Sequence, residues 1–279
     1  MKTRYKINGI FLVLVLNLVL INSSMANAGA GGKYSSSKTL RSMARIYMAY
    51  GEYAKAQPLA EQALTLAERN EVSDCELAMC MIDLATLYLH QGKLVDAEEM
   101  CQSGMQLQKK ALYKNHPYLA YTLRTLSSIY QQQGEYPQAE AALDNAMAIM
   151  LDSHNADDKA MAPFYVDIAK LCVVQNALEK AENYYHKAMD LINKSYGPNH
   201  LYTANVLADI AKLYAMQGKY TKAEELINQA IAVQEKIYGP DHHLIAPSWL
   251  TKAKISQATG SKIRTISQIA YGPIAKADK

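Results

Sequence analysis

The residues of this 279-residue chain that could do chemistry are a trio of histidines in one register, four cysteines and a series of regularly spaced charges. His116, His200 and His242 each stand 24 positions after a glycine or asparagine, namely Gly92, Asn176 and Gly218. A shared zinc ion would need all three imidazoles within about 2.0–2.1 Å of it. Equivalent positions on stacked helical units lie about 8–10 Å apart or more. The expected role is therefore that of a turn or helix-start residue, with Asp241-His242-His243 able at most to hold a metal weakly at the surface. Cys75, Cys80, Cys101 and Cys172 fit no zinc or redox spacing. The chain has no glycine-rich phosphate loop, no His-Glu-x-x-His and no Cys-x-x-Cys. It reads as a non-enzymatic chain with no catalytic, cofactor-binding or metal residues.

What positions these residues is an internal repeat. Gly51, Gly92, Gly134, Asn176, Gly218 and Gly260 recur at steps of 41, 42, 42, 42 and 42. Four residues before these markers stand Tyr47, Tyr88, Tyr130, Cys172 and Tyr214. Seven before them stand Ala44, Ala85, Ser127, Ala169, Ala211 and Ala253. Five after them come Ala56, Ala97, Ala139, Ala181 and Ala223, and twelve after them Ala63, Gly104, Ala146, Ala188 and Ala230. The marker suits a left-handed turn between two helices, a conformation open to Gly and Asn. The small columns suit helix crossings, where backbones approach to about 8–10 Å. Apolar residues at helical spacing, such as Ile210, Leu213 and Tyr214 followed by Ala223, Ile227 and Ala230, complete each hairpin. One hairpin buries too little apolar surface alone and must stack on its neighbours. These spacings predict an all-α chain of antiparallel hairpins, five complete and a sixth reduced to its first helix.

Leu84-Ala85-x-x-Tyr88 followed by Ala97 resembles the tetratricopeptide signature. Met43-Ala44-x-x-Tyr47 with Ala56, and Ile210-Ala211-x-x-Tyr214 with Ala223, resemble it too. The 42-residue period is similar to that of the kinesin light chain subtype, as are the turns Tyr196-Gly197-Pro198-Asn199-His200 and Tyr238-Gly239-Pro240-Asp241-His242. The resemblance implies a right-handed superhelix over residues 37–258 whose first helices line a concave, partner-binding face. On that reading Lys38, Arg41, Arg45, Asp83, Arg124, Ser128, Asp167, Lys170, Asp209 and Lys212 point into the groove. The arginines are expected to anchor the acidic part of a peptide, because guanidinium can grip a carboxylate through two parallel bonds. Asp167/Lys170 and Asp209/Lys212 read as local pairs three residues apart. Glu182 is expected on the outer face, where charge reversal should matter little. Cys101 should lie against Leu84 or Ala85, and mainly buried thiols are expected rather than a Cys80–Cys101 bridge.

The ends carry separate expectations. Lys2, Arg4 and Lys6, then an apolar run from Ile10 to Ile21 and small residues to Ala28, follow the order of a signal peptide cleaved after Ala28. The run is shorter than the ~20 residues of a membrane-spanning helix. Residues 29–36 read as a flexible leader and 259–279 as a capping helix and tail. The chain has 29 basic and 26 acidic residues; removing the three basic residues of 1–28 leaves 26 against 26. That balance gives no attraction to nucleic acid or to an acidic membrane surface. The expected protein is exported, periplasmic or secreted, and binds a protein or peptide of unknown identity. The alternative is a structural spacer in an envelope assembly that docks by its convex face or its end.

Overall fold

The computed structural model describes residues 37–260, apart from 71, 114 and 154–157. The signal peptide (1–28), the leader (29–36) and nearly all of the capping segment (261–279) lie outside the described residues. Within them are eleven α-helices: α1 Ser37–Ala49, α2 Tyr53–Arg69, α3 Asp74–His90, α4 Leu94–Ala111, α5 Pro117–Gln133, α6 Tyr136–Asp152, α7 Asp158–Val174, α8 Leu178–Tyr196, α9 Leu201–Met216, α10 Tyr220–Tyr238 and α11 Ala246–Thr259. They pack as consecutive antiparallel hairpins, α1/α2 through α9/α10, with α11 closing the row as the first helix of a sixth. No described helix is long and apolar enough to cross a membrane.

The marker residues end the first helices. Asn176 takes φ 58°, the one non-glycine with positive φ among the described residues, and so does what glycine does at the other markers. The small columns are fully buried: Ala44, Ala85, Ser127, Ala169 and Ala211 on first helices, and Ala56, Ala97, Ala139, Ala181 and Ala223 on second helices. The extra length of the period is shared between the two helices of a hairpin: first helices α3, α5 and α7 have 17 residues, as do second helices α2 and α6, while α8 and α10 reach 19.

Successive first helices approach one another closely, α1 to α3, α3 to α5, α5 to α7 and α9 to α11, whereas no two successive second helices come as close. The first helices therefore form the inside of the curve. The curvature also brings the two ends together. The ring of Tyr50, at the end of the first hairpin's leading helix, meets that of Tyr238 edge-on with centroids 6.2 Å apart. A β-carbon on Gly51 would stand 2.6 Å from His243 Nε2 and 3.2 Å from Leu244 Cδ2.

Candidate functional site

The inner face is organised by ion pairs that run from one hairpin to the next. Arg41 on α1 is 6% exposed, and its Nε donates to Asp83 Oδ2 on α3 at 2.8 Å. Arg45, one turn on, donates to the other oxygen of the same carboxylate, also at 2.8 Å. Asp83 is itself buried, so one desolvated carboxylate holds two guanidiniums. Arg124 on α5 stands 2.6 Å from Asp167 Oδ2 on α7 and lies over the ring of Phe164. That oxygen has no aligned hydrogen bond, so the contact is a charge pair held by proximity. Lys170 on α7 reaches Asp209 on α9 at 3.4 Å, and Lys212 meets the same residue from its own helix at 3.1 Å.

The predicted groove residues are thus brought together, but differently from the expectation in two respects. Lys170 pairs forward to Asp209, and Asp167 is taken by Arg124, because neighbouring first helices are close enough for side chains to cross between them. Arg41 is not a free anchor: its guanidinium is buried against Asp83. Only Asp209/Lys212 forms the local pair expected. Lys38 is exposed, and the half-buried Ser128 hydroxyl donates back to the Arg124 carbonyl. The ladder has a gap between the second and third hairpins. There Thr125 stands where the second, fourth and fifth hairpins have aspartate, and its hydroxyl bonds its own helix at the Tyr121 carbonyl.

Behind this face, Tyr185 and Tyr202 stand near the carboxylates. Burial, and then Asp209 and Asp167, push the Tyr185 hydroxyl far above its ordinary range. Burial and Asp167 do the same at Tyr202. Both stay protonated and neutral.

A second ladder went unread in the sequence. One residue before the markers stand Gln91, Gln133, Gln175 and Gln217, and six after them Gln57, Glu98, Glu140 and Glu182. Each glutamine amide donates to the second helix of the preceding hairpin: Gln91 to Gln57 at 2.9 Å, Gln133 to Glu98 at 2.8 Å, Gln175 to Glu140 at 3.2 Å and Gln217 to Glu182 at 2.9 Å. Glu182 also accepts from Lys219 at 3.0 Å. Burial opposes its ionisation, but the bonds from Gln217, Lys219 and Tyr214 outweigh it and hold the carboxyl below its usual value. Glu182 is therefore part of a joint between hairpins rather than an outer-face bystander. The signal was the recurrence of Gln beside the marker.

The histidine trio caps helices. Nδ1 of His116, His200 and His242 accepts the backbone N–H two residues on, from Tyr118, Tyr202 and Leu244, at 3.1, 3.1 and 3.3 Å. Each ring also leans on the tyrosine that opens its turn, Tyr113, Tyr196 or Tyr238, with centroids 4.9, 4.5 and 4.7 Å apart. An imidazole that accepts at Nδ1 is the neutral form with its proton on Nε2. Among the described residues no three His, Cys, Asp or Glu side chains gather where they could hold a metal.

The thiols point to different places. Cys80 Sγ faces the Ala63 carbonyl at 3.8 Å, and Cys101 Sγ faces the Thr122 carbonyl at 3.6 Å while packing in one cluster with Ala85. Burial pushes the Cys80 thiol up to about 11 and the Cys101 thiol up to about 12. Protonated thiols in such surroundings are poor nucleophiles.

Comparison with known families settles the class. Residues 23–163 match the family described as MalT-like TPR region, and residues 161–236 match the one described as Tetratricopeptide repeat. The chain belongs to the tetratricopeptide repeat proteins. The two matches meet at residues 161–163. That is where a continuous apolar core begins, at Ala162. No curated protein matches this tetratricopeptide chain by sequence. Among solved structures it is similar to BtubC (BKLC) from P. vanneervenii, at 18% identity and TM-score 0.58, over 82% of this chain and 87% of that one. It is also similar to a putative kinesin light chain with nearly identical TPR-like repeats from Podosopora anserina, at 21% identity and TM-score 0.51, over 72% and 96%. At such identities the likeness is one of fold. Tetratricopeptide arrays are scaffolds for protein–protein interaction.

Proposed function

We propose that this chain is an exported, non-enzymatic scaffold that holds an acidic protein or peptide segment on the inner face of its array. The observation that carries the reading is the charge balance of that face. Among the described residues five cations, Arg41, Arg45, Arg124, Lys170 and Lys212, share three carboxylates, Asp83, Asp167 and Asp209, and the exposed Lys38 adds a further positive charge at the N-terminal end. The pairs hold the cations in place and, except at the buried Arg41, leave part of their hydrogen-bonding capacity facing outward. Arg45, Lys170 and Lys212 have side chains 60%, 47% and 48% exposed. A carboxylate-rich segment would meet a preorganised row of donors, which lowers the ordering cost of binding.

The test uses the exposed members of the row. Partners are captured with the full chain, identified by mass spectrometry and titrated against the Arg45→Glu, Lys212→Glu double variant. We expect at least tenfold weaker binding, about 1.4 kcal/mol, with helix content unchanged. Unaltered affinity would sink the inner-face reading. Arg41→Glu is unsuitable, since it would bury a carboxylate against Asp83.

Export rests on the basic, apolar and small-residue order of residues 2–28. The intact mass of protein recovered outside the cytoplasm should correspond to a chain starting at Gly29, and a full-length mass in a membrane fraction would overturn the cleavage. The spacer reading draws on one outer-surface feature, a cleft of about 620 Å³ between the second and third hairpins, lined by Met105, Leu112, Leu119, Leu123 and Ile149 among others. It requires binding that survives the inner-face reversal and fails on Leu112→Glu.

A further inference from the structure

The contact between the ends of the array is not a feature of its repeat. Tyr50 and Tyr238 lie in the first and fifth hairpins, far apart in sequence, yet their rings meet edge-on at 6.2 Å. Gly51 sits beneath His243, so close that its missing β-carbon would fall 2.6 Å from Nε2. The markers Gly92, Gly134, Gly218 and Gly260 have nothing within 4 Å of the same position. On the far side, Tyr238 stacks on His242 at 4.7 Å and His242 on His243 at 4.6 Å, so three rings are aligned behind the contact. The Tyr50 position itself departs from the repeat: the next four hairpins carry glutamine there, bonded to the hairpin before. The first hairpin follows no other described hairpin, and its tyrosine turns instead to the other end of the array.

We propose that Tyr50 and Gly51 form a clasp that closes the array on the Tyr238–Leu244 turn, and that release of this clasp opens the sideways route by which a partner segment reaches the inner face. The second half rests on the inner-face reading above. The contact is small: one edge-on aromatic pair, worth about 0.5–1.5 kcal/mol beyond its area, and one close approach of a glycine. A latch of that size can open repeatedly on the microsecond-to-millisecond scale of domain motions. It spans the two ends of a structure in which each unit otherwise touches only its neighbours, so small changes at each joint add up to a large displacement there.

The experiment needs no partner, so its failure is distinct from failure of the binding reading. In full-length protein carrying Cys75→Ser, spin labels are placed at Ala54→Cys and Lys236→Cys, both exposed, and their distance distribution is measured by pulsed electron resonance. The parent should give a short, narrow distribution. Tyr50→Ala should give a longer and broader one. Gly51→Asn should do the same, while Gly134→Asn, which makes the same turn substitution away from the clasp, should not. In a separate Cys75→Ser chain with one added thiol, Thr125→Cys on the inner face, a bulky polymer-linked maleimide should react at least threefold faster when Tyr50→Ala is added, with the rate for N-ethylmaleimide unchanged. Identical distances in parent and Tyr50→Ala, or equal effects of Gly51→Asn and Gly134→Asn, would overturn the clasp. Opening without a change in the bulky-reagent rate would overturn its role in access.

Discussion

The first three hairpins and the last three elements of the array solve the same joining problem by different means. From Ala162 to Ile255 one continuous apolar core runs through the fourth and fifth hairpins into α11, and it includes Tyr185, Ile192, Leu213 and Ile227. Among the described residues before it the core is divided into smaller clusters, such as Leu40 with Ala63, Ala67 and Cys80, or Ala85 with Cys101, Leu126 and Ile129. What the N-terminal part has instead is the buried Arg41–Asp83 pair, with the exposed Arg45 on the second oxygen of the same carboxylate. The C-terminal part carries its charges on half-exposed lysines. A repeat plan fixes where neighbouring units touch and leaves open whether apolar continuity or desolvated charge holds them. The second choice makes a joint that is hard to lose gradually, since removing one partner strands a buried charge.

The sharpest way to break the contrast is Asp83→Asn. It leaves Arg41 buried without its carboxylate and should cost about 3–5 kcal/mol in urea unfolding. If it costs no more than a surface pair, the two halves do not differ as described. Next in size is Gly104→Ala on α4, in a column that is alanine elsewhere. Its β-carbon would stand 3.1 Å from the Ala78 carbonyl and 3.1 Å from Ile82 Cγ1. Such overpacking should cost about 1–3 kcal/mol, whereas a neutral or stabilising result would show that α3 and α4 have room to separate. Third is pH. The Glu182 carboxyl is held below its usual value, so its contribution is present above the unfolded-state value near 4.5 and is lost as pH falls through the lower folded value. Glu182→Gln should therefore flatten the acid limb of the melting-temperature profile while costing about 1 kcal/mol at pH 7. An unchanged acid limb would remove that joint from the account. Smallest is Asp209→Asn, whose lysine partners are about half exposed. It should cost about 0–1 kcal/mol, and a loss as large as that of Asp83→Asn would erase the comparison.

The period, the marker turns and the small columns were legible because each reflects a local steric demand repeated five or six times. Asn176 illustrates this, being readable as a glycine substitute from its register alone. The glutamine ladder was equally present in the sequence. It escaped because Gln133 and Glu98, taken singly, look like ordinary solvated residues on helices, and only their joint offset shows that one reaches the other. The burial of Arg41 was not legible. Whether a first-helix arginine faces the groove or the next helix depends on the rotation between hairpins, and no residue type encodes that. The meeting of Tyr50 with Tyr238 was further still from the sequence, since it sums the same small rotation over the whole array.

The ring contact has a bearing on repeat number. Each internal joint is self-contained: a glutamine beside one marker, a carboxylate or amide six residues past the previous one. Duplicating one internal 42-residue unit could remake all such joints. It could not remake the meeting of Gly51 with His243, because the added unit would carry the far turn past it by one more increment of rise and rotation. Length variation that an ordinary solenoid tolerates is thus penalised in this one, and the count of hairpins becomes a property that its geometry can sense.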